Sequence, residues 1–230
     1  MTTIPGNLQH VRARIATACQ RAGRGVEEVT LLAVSKTFGA DAVRAAAAAG
    51  QRAFGENYIQ EGVEKIAALR DLGLMWHCIG PIQSNKTRLV AEHFDWVHTV
   101  DRLKIAERLS AQRPADRPPL NVCIQVNIDG GANKSGVAPG DALALARAVA
   151  ALPQLKLRGL MSIPEIAPDF EAARAVHASA RALFYQLNAD GLGLDTLSMG
   201  MSDDLEAAIA AGSTMVRVGT AIFGSRAPKP

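Results

Sequence analysis

The stretch VTLLAVSKTFGADAVRAAAAAG, residues 29–50, joins two periodicities. Its first part, Val29 to Val34, is apolar and β-branched without polar alternation, the pattern of a strand buried on both faces. Its second part is alanine-rich and strongly helix-forming, and it closes at Gly50, a residue suited to the turn that ends a helix. Between them stand Ser35, Lys36 and Gly39, so a lysine sits where a buried strand runs out. Strand, short turn and helix form the opening half of a parallel crossover.

The unit recurs along the chain. Strand-like runs are VTLLAVSK (29–36), RAFGEN (52–57), MWHCIGP (75–81), WVHTV (96–100), NVCIQVNI (121–128), KLRGLMSI (156–163), TLSMGMS (196–202) and TMVRVGTAIFG (214–224). Helical patterns fill the gaps, and an extra helix near residues 7–22 precedes the first strand. Eight β/α units predict a closed (β/α)8 TIM barrel, a fold of roughly 250 residues. The rival, an open doubly wound sheet, carries a glycine-rich phosphate turn after its first strand, where this chain has SKTFG. No Pro/Ser/Gly linker divides the sequence, so residues 1–230 read as one domain, with RPADRPP (113–119) as a loop.

Composition narrows the function classes. With 48% hydrophobic and 20% charged residues, the chain has ample material for a core. A net charge of +3, interspersed, with only 4% aromatics, argues against a nucleic-acid or membrane partner. The cysteines, Cys19, Cys78 and Cys123, are odd in number and lack a C-x-x-C pair, which points to a reducing compartment. The start, MTTIPGNLQH, has no apolar signal-peptide core, so a cytoplasmic location is expected. His77 and His98 fall in strands and His10, His93 and His177 on helices. No pair has metal-ligand spacing, so no metal is expected.

Barrel chemistry gathers at the carboxyl ends of the strands. There this sequence places Lys36, Asn57, the run Gly80–Lys86, the run Met161–Glu165, the run Met199–Asp203 and Arg217–Thr220. A lysine amine freed of its proton can condense with an aldehyde; equally, Lys36 could reach solvent or pair with Glu56. Ser202 could hold a phosphate or simply precede a helix, with Asp203 and Glu206 as a capping box. Gly219 and Thr220 follow strand eight, where such barrels cradle phosphate, but they also suit a tight turn. Arg217 alternates with Met215 and Gly219 on the inner face of its strand, so its guanidinium needs a carboxylate or a ligand atom. Asn57 could orient a ligand or finish a turn.

Taken in order, LLAVSKTFG, FGENYIQE, WHCIGPIQSNK, GLMSIPE, LSMGMSDDLEAAI and VRVGTAIFG resemble the pyridoxal phosphate homeostasis protein family, stand-alone relatives of the alanine racemase N-terminal barrel. The likeness covers nearly the whole chain. It implies that Lys36 holds pyridoxal 5'-phosphate (PLP) as a Schiff base. It implies that Ser202, Gly219 and Thr220 take the phosphate, that Arg217 faces the pyridine nitrogen, and that Asn57 lies beside the cofactor. Met201 and Ile82 are implied as pocket walls.

The same likeness implies a non-catalytic holder of PLP that serves vitamin B6 homeostasis, with PLP-dependent apoenzymes as recipients. The alternative is a racemase-like enzyme. Alanine racemases add a β domain and a catalytic tyrosine, whereas this chain stops soon after strand eight and has only Tyr58 and Tyr185. Neither racemisation nor aldolase chemistry is therefore expected. A barrel aldolase would place its lysine on strand six or seven. Lys86, at the start of the helix after strand three, and Lys134, in the loop after strand five, are further amines that an aldehyde could meet. Without a long apolar stripe, a monomer is expected.

Overall fold

Strand β1 (Thr30–Val34) lies beside both the second and the last strand of the chain, which makes the sheet a closed ring. The computed structural model describes residues 3–131 and 135–225. Among them, β2 (Ala53–Glu56), β3 (Met75–Cys78), β4 (Trp96–Val100), β5 (Leu120–Gln125), β6 (Leu155–Met161), β7 (Thr196–Ser198) and β8 (Met215–Val218) follow β1 in sequential order. Every pairing is parallel, and β8 returns to β1 with Leu32 opposite Arg217. This is the barrel that the β/α alternation predicts.

The helices are α1 (Ile4–Arg21), α2 (Ala40–Ala48), α3 (Ile59–Ala68), α4 (Thr87–His93), α5 (Leu103–Gln112), α6 (Ala142–Ala150), α7 (Phe170–Ala189), α8 (Leu205–Ala210) and α9 (Thr220–Phe223). Helix α1 starts on a capping bond from the Gly6 amide to Thr3 Oγ1 and carries Pro5 in its first turn. Helix α2 ends before Gly50, whose φ of +85° suits glycine. Expectations fail at the ends of several elements: the run 75–81 is strand only to Cys78, the run 121–128 only to Gln125 and the run 196–202 only to Ser198. The run 214–224 is strand only to Val218, because Thr220–Phe223 turns into α9. The Asp203–Glu206 capping box does not form: α8 begins at Leu205, and Glu206 pairs with Arg14 at 2.8 Å.

Strand alternation divides the core. Val216 and Val218 face outward into the large apolar layer between strands and helices, together with Ala33, Phe54 and Leu160. Fully burying a side chain of this size stabilises by about 1.5–3 kcal/mol. The opposite face fills the barrel interior with Leu32, Val34, Ile79 and Met215 in one cluster and Trp96, Cys123 and Met161 in another. All three cysteines are buried and free. No described helix is long and apolar enough to cross a membrane.

Candidate functional site

A cavity of about 220 Å³ opens at the carboxyl ends of β1, β2, β7 and β8. Lys36, Asn57, Met201, Ser202, Arg217, Gly219 and Thr220 all line it. Ile82 does not: it is packed in the outer apolar core, and Ile79 from the same segment supplies the wall. Lys86 ends a single 3-10 turn, Ser84–Lys86, and is not part of the lining. Lys134 lies outside the described residues.

Each side chain arrives by a local cause. Lys36 follows β1 by two residues, and the next residue, Thr37, has φ +70°, a left-handed conformation uncommon for a β-branched side chain. Asn57 follows β2 directly. Its backbone is pressed so closely by Gly80 that a Cβ there would lie 2.0 Å from the Asn57 carbonyl oxygen. The Asn57 Oδ1 atom is buried and has no protein partner. Ser202 is held through its carbonyl, which accepts from Arg14 of α1 at 3.0 Å. Asp204 pins the same turn by accepting from the Met201 amide at 2.6 Å and meeting His177 Nε2 at 2.9 Å. Burial pushes the Asp204 carboxyl up, but those partners hold it below its usual range.

Arg217 carries the unusual electrostatics. It is 4% exposed, and its partners are the Ser198 carbonyl (2.6 Å), Ser198 Oγ (2.8 Å) and the Ser162 carbonyl (2.9 Å). None is a carboxylate. Burial lowers its pKa to about 10, so the guanidinium stays charged near neutral pH. A buried cation among neutral acceptors is poorly compensated, and such a group favours a nearby anion or acceptor.

Behind Arg217 runs a chain of hydrogen bonds. His98 Nδ1 lies 2.8 Å from Ser198 Oγ, and His98 Nε2 lies 2.9 Å from His77 Nδ1. Arginine only donates, so Ser198 Oγ accepts from it and turns its own proton to His98 Nδ1. His98 then carries its proton on Nε2 and gives it to His77 Nδ1. That leaves the His77 Nε2 proton without a partner. Burial lowers the His77 pKa to about 3, and burial aided by His77 and Arg217 drives His98 well below its ordinary value. Both rings are neutral, and each passes the hydrogen bonding of Ser198 one ring further into the barrel.

A second network flanks Lys36. Lys65 Nζ donates to the Ser35 carbonyl (2.7 Å), Glu56 Oε1 (2.8 Å) and Glu61 Oε1 (2.6 Å). Ser35 Oγ donates to Glu56 Oε1 at 2.5 Å, and the Thr37 amide donates to Glu61 Oε1 at 2.6 Å. Burial pushes the Glu56 carboxyl above its usual range, opposed by Lys65 and Ser35. Sequence reading missed this network. Lys65 looks like any helix-surface lysine four residues after an acid, and only the fold shows that it is 5% exposed.

The comparisons with known proteins fit this geometry. The alanine racemase N-terminal domain model matches residues 6–227. A pyridoxal phosphate homeostasis protein of Pseudomonas aeruginosa is 64% identical over 226 residues, covering 98% of this chain and 97% of the relative. Its Escherichia coli K12 counterpart is 58% identical over 233 residues, covering 98% of each. This chain belongs to the pyridoxal phosphate homeostasis protein family. Among solved structures, PipY of Synechococcus elongatus with PLP bound is 40% identical, with a TM-score of 0.79 over 91% of this chain and 100% of that one. Alanine racemase of Corynebacterium glutamicum, at 21% identity and a TM-score of 0.65, covers 96% of this chain and 62% of that one, a likeness of fold alone. The family model thus covers all but the first few of the described residues.

Proposed function

We propose that this protein binds PLP at the barrel mouth as a Schiff base on Lys36 and serves PLP homeostasis as a holder of the cofactor rather than as a catalyst. The observation that carries the reading is Arg217: a buried guanidinium without a carboxylate partner opens into the same cavity as Lys36. The donor set suits the cofactor. PLP would supply an aldehyde, and Lys36 would hold it by condensation of its amine with that carbon, one water leaving. The Ser202 and Thr220 hydroxyls suit phosphate oxygens, and Gly219 lets the chain approach them closely. The buried, unpartnered Asn57 Oδ1 is free to accept from the ligand.

Arg217 also favours holding over turnover. It keeps its proton near neutral pH, so a pyridine nitrogen facing it would stay unprotonated and the ring would draw electrons weakly. The titratable groups lining the cavity are Lys36, Asp203 and Arg217. Tyr58 and Tyr185 are 54% and 55% exposed and lie outside the lining, so neither supplies the second acid or base that racemisation uses. Family relatives named for PLP homeostasis and a relative solved with PLP support the same reading. The test is a PLP titration followed by visible absorbance, then addition of L-alanine or L-serine with an assay for the opposite enantiomer. A Schiff-base band without the opposite enantiomer is expected; appearance of the opposite enantiomer overturns the holder role.

A further inference from the structure

The network beneath Lys36 meets the backbone on both of its sides. On the N-terminal side, Ser35 is held twice: its carbonyl by Lys65 and its hydroxyl by Glu56. On the C-terminal side, the Thr37 amide is held by Glu61. Lys65 joins the two halves, since its ammonium spends all three protons on Ser35, Glu56 and Glu61. The residue so held, Thr37, sits at φ +70°, which a β-branched side chain leaves when its surroundings permit. A strained residue beside a reactive-type lysine, fixed by charged groups from α3 and β2, is more than the turn itself needs.

We propose that Lys65, Glu56 and Glu61 are positioning residues: together they fix Ser35 and Thr37 and so aim the Lys36 amine into the barrel mouth. The inference rests on the reading of Lys36 as the cofactor lysine and deepens it. It separates two lysines of opposite character. Lys65 Nζ is buried and saturated by three acceptors, two of them carboxylate oxygens, so it is not presented to an aldehyde. Lys36 lines the cavity, and its attack direction is set by the backbone that the network holds. Release of the Thr37 amide frees the turn that follows Lys36 to leave its left-handed conformation, so the segment that carries the amine into the mouth is no longer held on its C-terminal side.

The experiment uses the full chain and PLP itself. Lys65→Met buries an unpaired Glu56 and is prone to unfold, so the test runs on Glu61, which is partly exposed. Glu61→Ala removes the acceptor for Thr37; Glu61→Gln keeps an amide oxygen there; Glu61→Ala with Thr37→Gly removes the strain that drives relaxation. Glu61→Ala is expected to keep its fold by circular dichroism but bind PLP about tenfold more weakly, the loss of one well-placed charge-assisted hydrogen bond. Glu61→Gln and the Thr37→Gly double variant are expected to recover most of that loss. Borohydride reduction and peptide mapping then separate the two claims. Unchanged PLP affinity in Glu61→Ala, with Lys36 still the modified residue, overturns the clamp and leaves the cofactor lysine standing. A failure of Thr37→Gly to restore affinity likewise overturns it. Modification of a residue other than Lys36 in the unaltered protein overturns the underlying reading and the clamp with it.

Discussion

Acid should unfold this protein through the interior of its barrel, and His77 gives the magnitude. In the fold its pKa is about 3, against an ordinary value of 6.5. The folded value is depressed, so the unfolded chain binds the extra proton between those limits. Stability is therefore full above pH 6.5 and is lost as pH falls toward 3. At pH 5 the unfolded histidine is charged and the folded one neutral, a difference of about 2 kcal/mol from His77 alone. For a domain of this size that is about 4–8 °C in Tm. His98 pushes in the same direction, and Glu56, raised by burial, pushes in the opposite one. The variant that isolates the effect is His77→Gln, whose amide oxygen can still accept from His98 Nε2. Urea unfolding of both proteins at pH 7 and pH 5 supplies the comparison. The stability lost between the two pH values should be smaller in His77→Gln by about 2 kcal/mol. Equal losses in the two proteins would mean that His77 is not held neutral by burial, and the reading of the interior chain would fall.

Other predictions follow from the site. Lys36→Ala should abolish the Schiff-base band on adding PLP while leaving Tm within a few degrees, because the half-buried side chain lies at the cavity rim; a retained band would reassign the amine. Arg217→Ala should weaken PLP binding and lower stability by about 1–3 kcal/mol, since it leaves the Ser162 carbonyl and Ser198 Oγ without the arginine's protons; calorimetry and titration read both. Gly80→Ala drives a Cβ into the Asn57 carbonyl and should cost about 1–3 kcal/mol in urea unfolding. Arg14→Ala frees the Ser202 carbonyl, and PLP affinity should fall several-fold with little change in helix content.

The sequence made the barrel legible because each buried parallel strand reads as an unbroken apolar run, and each crossover carries its own helical period. Lys36, Asn57, Ser202, Arg217, Gly219 and Thr220 were legible for a related reason: a barrel brings its strand ends together, so residues far apart in sequence can be collected by position alone. What stayed hidden depended on partners chosen across the fold. Glu206 looks like the closing half of a capping box, yet α1 brings Arg14 to it from 192 residues away. Ile82 belongs to an apolar segment whose other isoleucine, Ile79, faces the cavity, and no periodicity distinguishes them once β3 has ended. The His77–His98 contact links neighbouring strands, and Lys65 acquires its role only when α3 docks under the end of β1. Strand ends ran long for a local reason, because β-branched residues continue past Val218 into a turn that becomes helix.

The central claim, that the amine at the end of β1 is the one that takes the aldehyde, is tested most directly by loading the protein with PLP, reducing it with borohydride and mapping the modified peptide by mass. The account predicts one phosphopyridoxyl group on Lys36 and none on Lys65. Modification at Lys65, Lys86 or Lys134 with Lys36 unmodified would contradict it.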